Sequence, residues 1–187
     1  LTILSLLMRS SAKLQHIGHL MFKKIIPLLL LISFNSWADN VNQIFGDGIF
    51  ETNWGQSLSE LSELFPKGKI KSVSGLEMLT VKDGRTVLGI ERSKKHKINY
   101  NFNVRKKLNQ VRVQFDGSSY PEALNILTAT LGSTNLESIQ GGMAIGYTRW
   151  FNENKTISVA IFKAAGGFLV NFHTYLVITK ELELDGD

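Results

Sequence analysis

Cysteine is absent from all 187 residues. Thiol catalysis, disulfide exchange, disulfide staples and cysteine metal centres are therefore excluded, as is lipid attachment to an exported cysteine. Histidine is scarce. There are four in the chain, and only His96 and His173 lie beyond the export segment described below. Neither has an acidic residue at ligand spacing, so neither a metal nor a cofactor is expected. Phosphate loops are missing too, since Gly141-Gly142 and Gly166-Gly167 stand beside strands with no Gly-Lys-Ser/Thr following. No serine sits in a Gly-x-Ser-x-Gly elbow. The acids form no pair that would name a glycosidase: Glu60 and Glu122 read as helix-capping partners, Asp83 as a turn residue, and Asp47, Glu51, Glu91 and Asp116 stand alone. Catalysis is not the favoured expectation. The catalytic alternative is a hydrolase whose site is assembled from distant residues, with His173 assisting a serine such as Ser57 or Ser158.

Long hydrophobic runs are also lacking. The longest, Ile25–Ile32, is too short to span a bilayer, which needs about 20 apolar residues. It follows Lys23 and Lys24 and precedes Ser36 and Ala38, small residues at the −3 and −1 positions of a cleavage site. Met21–Ala38 thus reads as a bacterial secretory signal peptide. Residues 1–20 read as an upstream extension from an over-long reading frame, with Met21 the initiator. The expected address is the periplasm or the medium, with no transmembrane anchor after cleavage.

Removing 38 of the 187 residues leaves 149, the usual size of one domain. Such a chain buries about 68–70% of its unfolded surface and needs no staples. The expected layout is one domain over residues 39–180 and an acidic tail over 181–187. The formal charge of +5 is misleading. Arg9, Lys13, Lys23 and Lys24 precede the cleavage point and every acid follows it, leaving 17 basic residues against 16 acidic ones. That balance argues against nucleic acid as a partner.

What is present is alternation. Ser57-Leu-Ser-Glu60 opens a helix as a capping box, followed by Leu58, Leu61 and Leu64 at helical spacing and stopped by Pro66 and Gly68. Asp39–Gly48 reads as a loose lead-in, and Gly48–Thr52 as a short strand. Lys69–Val73, Leu76–Val81 and Thr86–Glu91 read as strands, the last two joined by a hairpin at Asp83-Gly84. Ile98, Tyr100, Phe102 and Val104 alternate with Asn99, Asn101 and Asn103, and Val111, Val113 and Phe115 alternate with Arg112 and Gln114. Each is a strand with one buried and one wet face. Ser119-Tyr-Pro-Glu122 reads as a second capping box, opening a helix that ends at Leu131-Gly132. Strands Met143–Phe151, Thr156–Lys163 and Phe168–Ile178 close the chain. The expected fold is α+β: an antiparallel sheet of about seven or eight strands, two helices on one face, and a degenerate helix-then-strands repeat.

Trp54-Gly55 before a Ser-capped helix, and Tyr120-Pro121-Glu122 opening a helix that ends Leu131-Gly132, resemble a group of small exported bacterial proteins of uncharacterised function. The architecture is also similar to β-lactamase-inhibitor-protein-like modules and to a small outer-membrane assembly lipoprotein. This chain departs from both in having neither their disulfides nor the lipoprotein cysteine, and one helix before each run of strands where they have two.

Two surfaces are candidates. Helices on one face would leave the other showing Lys, Asn, Arg and scattered aromatics. Tyr147, Arg149 and Trp150 are the candidate partner-binding residues of that face, although Trp150 alternates away from Tyr147, Arg149 and Phe151. Their joint exposure is the feature this reading requires. Arg92, Lys94, Lys95, Lys97, Arg105, Lys106 and Lys107 run without an intervening acid and are candidate anion-binding residues. They flank the predicted strand Ile98–Val104, which spans about 23 Å at about 3.3 Å per residue. That exceeds a Debye length of about 8 Å, so the two clusters do not act as one patch. The favoured function is an exported, non-catalytic module, monomeric or weakly dimeric, that binds an envelope protein or glycan. The polyanion reading through the basic turns is the other binding alternative.

Overall fold

Alternating side chains dominate from Lys69 onward, and they fold as hairpins. The computed structural model describes residues 39–132, 144–165 and 172–183. These fall in one of the chain's two compact units, Trp37–Asp187. The upstream extension, the signal peptide, both glycine pairs, the expected strand starts at Met143 and Phe168 and the tail beyond residue 183 lie outside the described residues.

A helix α1 (Asp39–Phe45) is followed by a miniature hairpin, β1 (Gly48–Ile49) with β2 (Thr52–Asn53), and by helix α2 (Leu58–Leu64). Four strands come next: β3 (Lys69–Val73), β4 (Leu76–Lys82), β5 (Lys97–Phe102) and β6 (Leu108–Asp116). A 3₁₀ turn (Gly117–Ser119) leads into helix α3 (Tyr120–Leu131). The chain closes with β7 (Ala144–Phe151), β8 (Ile157–Ala165) and β9 (Phe172–Lys180).

The long strands form one seven-stranded sheet, all neighbours antiparallel, in the order β3-β4-β5-β6-β9-β8-β7. Helix α2 precedes the meander β3–β6 and helix α3 precedes the meander β7–β9, with α1 and the β1–β2 hairpin standing outside this pattern. The last strands of the two meanders, β6 and β9, pair at the centre, and the first strands, β3 and β7, form the edges. The helices all pack on one side. Val41 and Phe45 of α1, Leu61 of α2, and Ala123, Leu127 and Leu131 of α3 share one buried cluster with Tyr100, Phe102, Val111, Val113, Phe115, Ile161, Leu176 and Ile178 of the sheet. This is the expected α+β antiparallel architecture.

Several local expectations hold for physical reasons. Ser57 accepts from Glu60 N, and Glu60 accepts from Ser57 N at 2.6 Å, so the first capping box forms in full. Gly132 ends α3, its N–H donating to Thr128 O. Ser74 and Gly75 both adopt positive φ, as a two-residue hairpin between β3 and β4 requires. Asn103 and Asn152 organise two further turns alike: each accepts at its backbone oxygen from a lysine three residues on (Lys106, Lys155), and both lysines are left-handed.

Others are corrected. Asp39–Phe45 is a helix, anchored by the wholly buried Val41 and Phe45. Thr86–Glu91 is not a strand, and Asp83-Gly84 is not its hairpin. Asp83 instead accepts from Arg85 N at 2.8 Å and pairs with Arg85 Nε at 2.6 Å, turning the chain out of β4. The tight turn falls at Leu88-Gly89, both at positive φ, closed by one bridge between Val87 and Ile90. Gly84 is needed for close approach, because a Cβ there would lie 2.7 Å from the Lys94 backbone. The second capping box is also absent. Ser119 already has helical backbone angles inside the 3₁₀ turn and makes no side-chain cap, so winding starts a turn early.

Candidate functional site

The side of the sheet away from the helices is covered by no described element, and register assigns its side chains. One row crosses all seven strands: Lys69, Thr80, Asn99, Arg112, Val177, Ala160 and Arg149, each the direct cross-strand partner of the next. A second row runs Lys71, Met78, Asn101, Gln110, Thr179, Ser158 and Phe151. Strands lie about 4.8 Å apart, so each row is about 29 Å long. The face has two chemically different halves.

The β3–β6 half is polar. Asn101 Nδ2 donates to Gln110 Oε1 at 2.9 Å, and Gln110 Nε2 donates to Thr179 Oγ1 at 3.2 Å, linking three strands in an amide chain. Lys97 N donates to Gln114 Oε1 at 3.3 Å. A trough of ≈ 620 Å³ lies here, with Asn99, Asn101, Gln110 and Arg112 among its lining and Val73, Leu76 and Met78 as an apolar wall. Arg112 is exposed within it. The β7–β9 half is aromatic. Tyr147 stacks on Phe162 at 5.9 Å, Phe162 meets Tyr175 at 5.7 Å, and His173 meets Tyr175 edge-on at 6.3 Å. Burial raises the Tyr175 phenol above its ordinary value. Arg149 lies over Phe151 at 4.4 Å and donates from Nη2 to Ser158 Oγ at 3.1 Å.

Unpartnered polar atoms gather here. Among the described residues, five side-chain atoms are buried without a hydrogen-bond partner: Asn99 Oδ1, Arg149 Nε and His173 Nδ1 on this face, Glu77 Oε2 at the trough, and Tyr100 OH in the core. An unsatisfied buried polar atom costs about 1–3 kcal/mol. Charge gathers here as well. By register, the face's strand positions hold Lys69, Lys71, Lys82, Lys97, Arg112 and Arg149, against the single acid Asp116. Glu77, the other strand acid, alternates to the opposite side in register with Ser72, yet it also lines the trough and pairs with Lys106 at 3.6 Å.

Each sequence candidate now has a place. Tyr147 and Arg149 stand half-buried on the open face, neighbours of Phe162 and Ser158. Trp150 does not join them: it is 2% exposed, points into the core and donates from Nε1 to Gly132 O at 3.1 Å. The three are therefore not exposed together, because alternation sends Trp150 to the helix side. The anion-binding set is corrected at Arg92. This residue is 8% exposed, donates to the backbone oxygens of Gln114, Arg85 and Lys97 at 2.9, 3.2 and 3.1 Å, and lies over Phe115 at 5.5 Å. Burial pulls its pKa down to about 10, so it remains a cation at neutral pH with its donors spent on the fold. Lys94, Lys95, Lys97, Arg105, Lys106 and Lys107 are exposed. The two clusters sit at opposite ends of β5, and Lys106 pairs with Glu77 at 3.6 Å.

His96 is buried. Its Nδ1 accepts from Ser93 N at 3.0 Å, which leaves the proton of a neutral ring on Nε2, facing Asp116 at 3.2 Å. That pair ties the basic loop to the end of β6. His173 shares its face with Tyr175 and Val177, as its alternation implies, but has no serine or carboxylate in hydrogen-bond contact among the described residues. Ser57 is spent on its helix cap and Ser158 on Arg149. Among the described residues no group of three or more His, Asp or Glu could hold a metal ion, and no helix is long and apolar enough to cross a membrane.

Sequence reading missed Arg112, Gln110, Phe162 and Lys71 as site residues. Their signal was present as the wet half of each alternating strand, but which strands lie side by side is a tertiary fact.

Fold and face together define the class: an α+β domain whose broad antiparallel sheet is covered by helices on one side and presents a basic, amide-rich and aromatic surface on the other. No family model, curated protein or solved structure matches the chain.

Proposed function

We propose that this chain is an exported, non-catalytic binding module that engages a component of the bacterial envelope through the open face of its sheet. One observation carries the reading: six cations and one acid share that face in a chain whose mature charges nearly cancel. Buried polar atoms without partners on the same face add to it. The signal-peptide pattern of Met21–Ala38 supports the envelope as the place of work. The polyanion alternative through the basic turns loses Arg92, which is internal, and keeps the six exposed residues Lys94, Lys95, Lys97, Arg105, Lys106 and Lys107. The hydrolase reading needs a partner for His173 that the described residues do not supply.

The test uses the protein purified from the producing cell. An N-terminus at Asp39 in the envelope fraction is the expected outcome for export; a retained residue 1 or 21 in the cytosolic fraction would overturn it. Immobilised protein should capture an envelope component, and Arg112→Ala should lose it. Capture unaffected by Arg112→Ala and Arg149→Ala together would remove the face from the account.

A further inference from the structure

We infer that the ligand of the open face is an acidic polysaccharide, a chain of hydroxyl-rich sugars bearing carboxylates, laid across strands β3 to β6. This rests on the binding-face reading above and specifies its ligand.

Charge selects an anion. Lys69, Lys71, Lys82, Lys97 and Arg112 lie on the four strands of this half, and neighbouring strands are closer than a Debye length of about 8 Å. Two acids lie nearby: Asp116 faces the His96 ring at 3.2 Å, and Glu77, in the trough lining, is offset by Lys106 at 3.6 Å. Arg112 supplies a planar guanidinium in the trough, the geometry that meets a carboxylate through two parallel hydrogen bonds. Arg112 and Lys69 lie three strand spacings apart, about 14 Å. A chain of sugars reaches both, and a single sugar does not.

Amides select hydroxyls. Asn99, Asn101 and Gln110 line the trough with amide donors and acceptors; Asn101 and Gln110 hold each other through one bond, which leaves Asn101 Oδ1 and the remaining amide hydrogens and lone pairs to meet sugar hydroxyls. Asn99 Oδ1 is already without a partner. Val73, Leu76 and Met78 give the trough an apolar wall against which the carbon faces of sugar rings pack. A protein partner is less well served. The middle of the face holds Ala160 and Val177, small and buried, where a protein interface would place a large anchor. The aromatic rings beyond them are engaged with each other.

The experiment titrates the full chain with oligosaccharides of polygalacturonate and of alginate, followed by calorimetry. The same oligosaccharides with carboxyls reduced to alcohols, poly-L-glutamate, and vesicles of anionic phospholipid are the comparison probes. At least one polyuronate should bind, and rising salt should weaken it. Carboxyl reduction, poly-L-glutamate and vesicles should each come out tenfold or more weaker. Arg112→Ala should cost about tenfold or more, the size of a lost charged hydrogen bond, while Lys94→Ala with Lys95→Ala should change binding less than threefold. Equal binding of poly-L-glutamate or vesicles would overturn the glycan in favour of charge alone. Equal binding after carboxyl reduction would overturn the acid, and no binding of either polyuronate would overturn the inference outright. In that last case, envelope capture that depends on Arg112 or Arg149 leaves the binding-face reading standing; capture indifferent to Arg112→Ala and Arg149→Ala together removes both.

Discussion

Arg92 and Arg112 show how far one residue type can diverge. Arg92 spends its donors on three backbone oxygens from segments up to 22 residues away, whereas Arg112 stands exposed in a trough. Nothing in the local run Arg92-Ser-Lys-Lys-His-Lys marks the first as internal, since its acceptors on Arg85 and Gln114 are brought by the fold. Arg92→Ala should therefore destabilise the protein by about 3 kcal/mol, against less than about 0.5 kcal/mol for Lys94→Ala, read from urea unfolding. Equal effects would mean the buried network is not formed. Glu60 makes a second residue-scale prediction. Hydrogen bonds from the Ser57 side chain and backbone hold its carboxyl below the ordinary value of 4.5. A carboxyl lowered by folding stabilises above its unfolded pKa, and that contribution fades as pH falls through the folded one. The thermal midpoint of Glu60→Gln should thus lie below that of the natural protein at pH 6, and the gap should close towards pH 3. A constant gap would show that ionisation is not what the cap uses. Ser57→Ala should cost about 1 kcal/mol at neutral pH.

At the scale of elements, what was legible was what local chemistry decides. The Ser57–Glu60 box, the Gly132 stop and the wet faces of β5 and β6 follow from neighbours in sequence. Three features did not. Among its described side chains, helix α1 buries Val41 and Phe45, too short a pattern to stand out from a loop. The stretch after β4 carried a good hairpin signal in Asp83-Gly84, but the Asp83–Arg85 pair and the Lys94 backbone packed against Gly84 claim those residues first. At α3, the 3₁₀ turn takes Ser119 out of the extended conformation a cap requires. The β7–β8 turn offers a test. Asn152 is 5% exposed, accepts from Ile157 N at 2.8 Å, and donates to Asn154 Oδ1 at 2.7 Å and Thr156 Oγ1 at 3.1 Å. Asn152→Ala should lower stability by about 1–3 kcal/mol and shift the thermal midpoint accordingly. A neutral outcome would mean the turn holds without its side-chain network.

At the scale of the domain, the expected α+β sheet with helices on one side was readable because period-two and helical patterns are strong here. The open face was readable only as composition. Tyr147 and Arg149 lie on it, and Trp150, by alternation, belongs to the core, where its indole reaches Gly132 O. Strand order then decided what no single strand reveals: the pairing of β6 with β9 sets a polar half beside an aromatic half. The separation of charge is likewise a property of assembly, since residues 39–187 hold 17 basic against 16 acidic side chains while one face is predominantly basic.

The most direct measurement compares envelope capture by two paired variants across a salt series. One carries Arg112→Ala and Arg149→Ala on the face; the other carries Lys94→Ala and Lys95→Ala in the exposed loop. The account predicts that the face variant loses capture at every salt concentration, while the loop variant follows the natural protein. Loss by the loop variant with the face variant intact would contradict it and return binding to the basic turns.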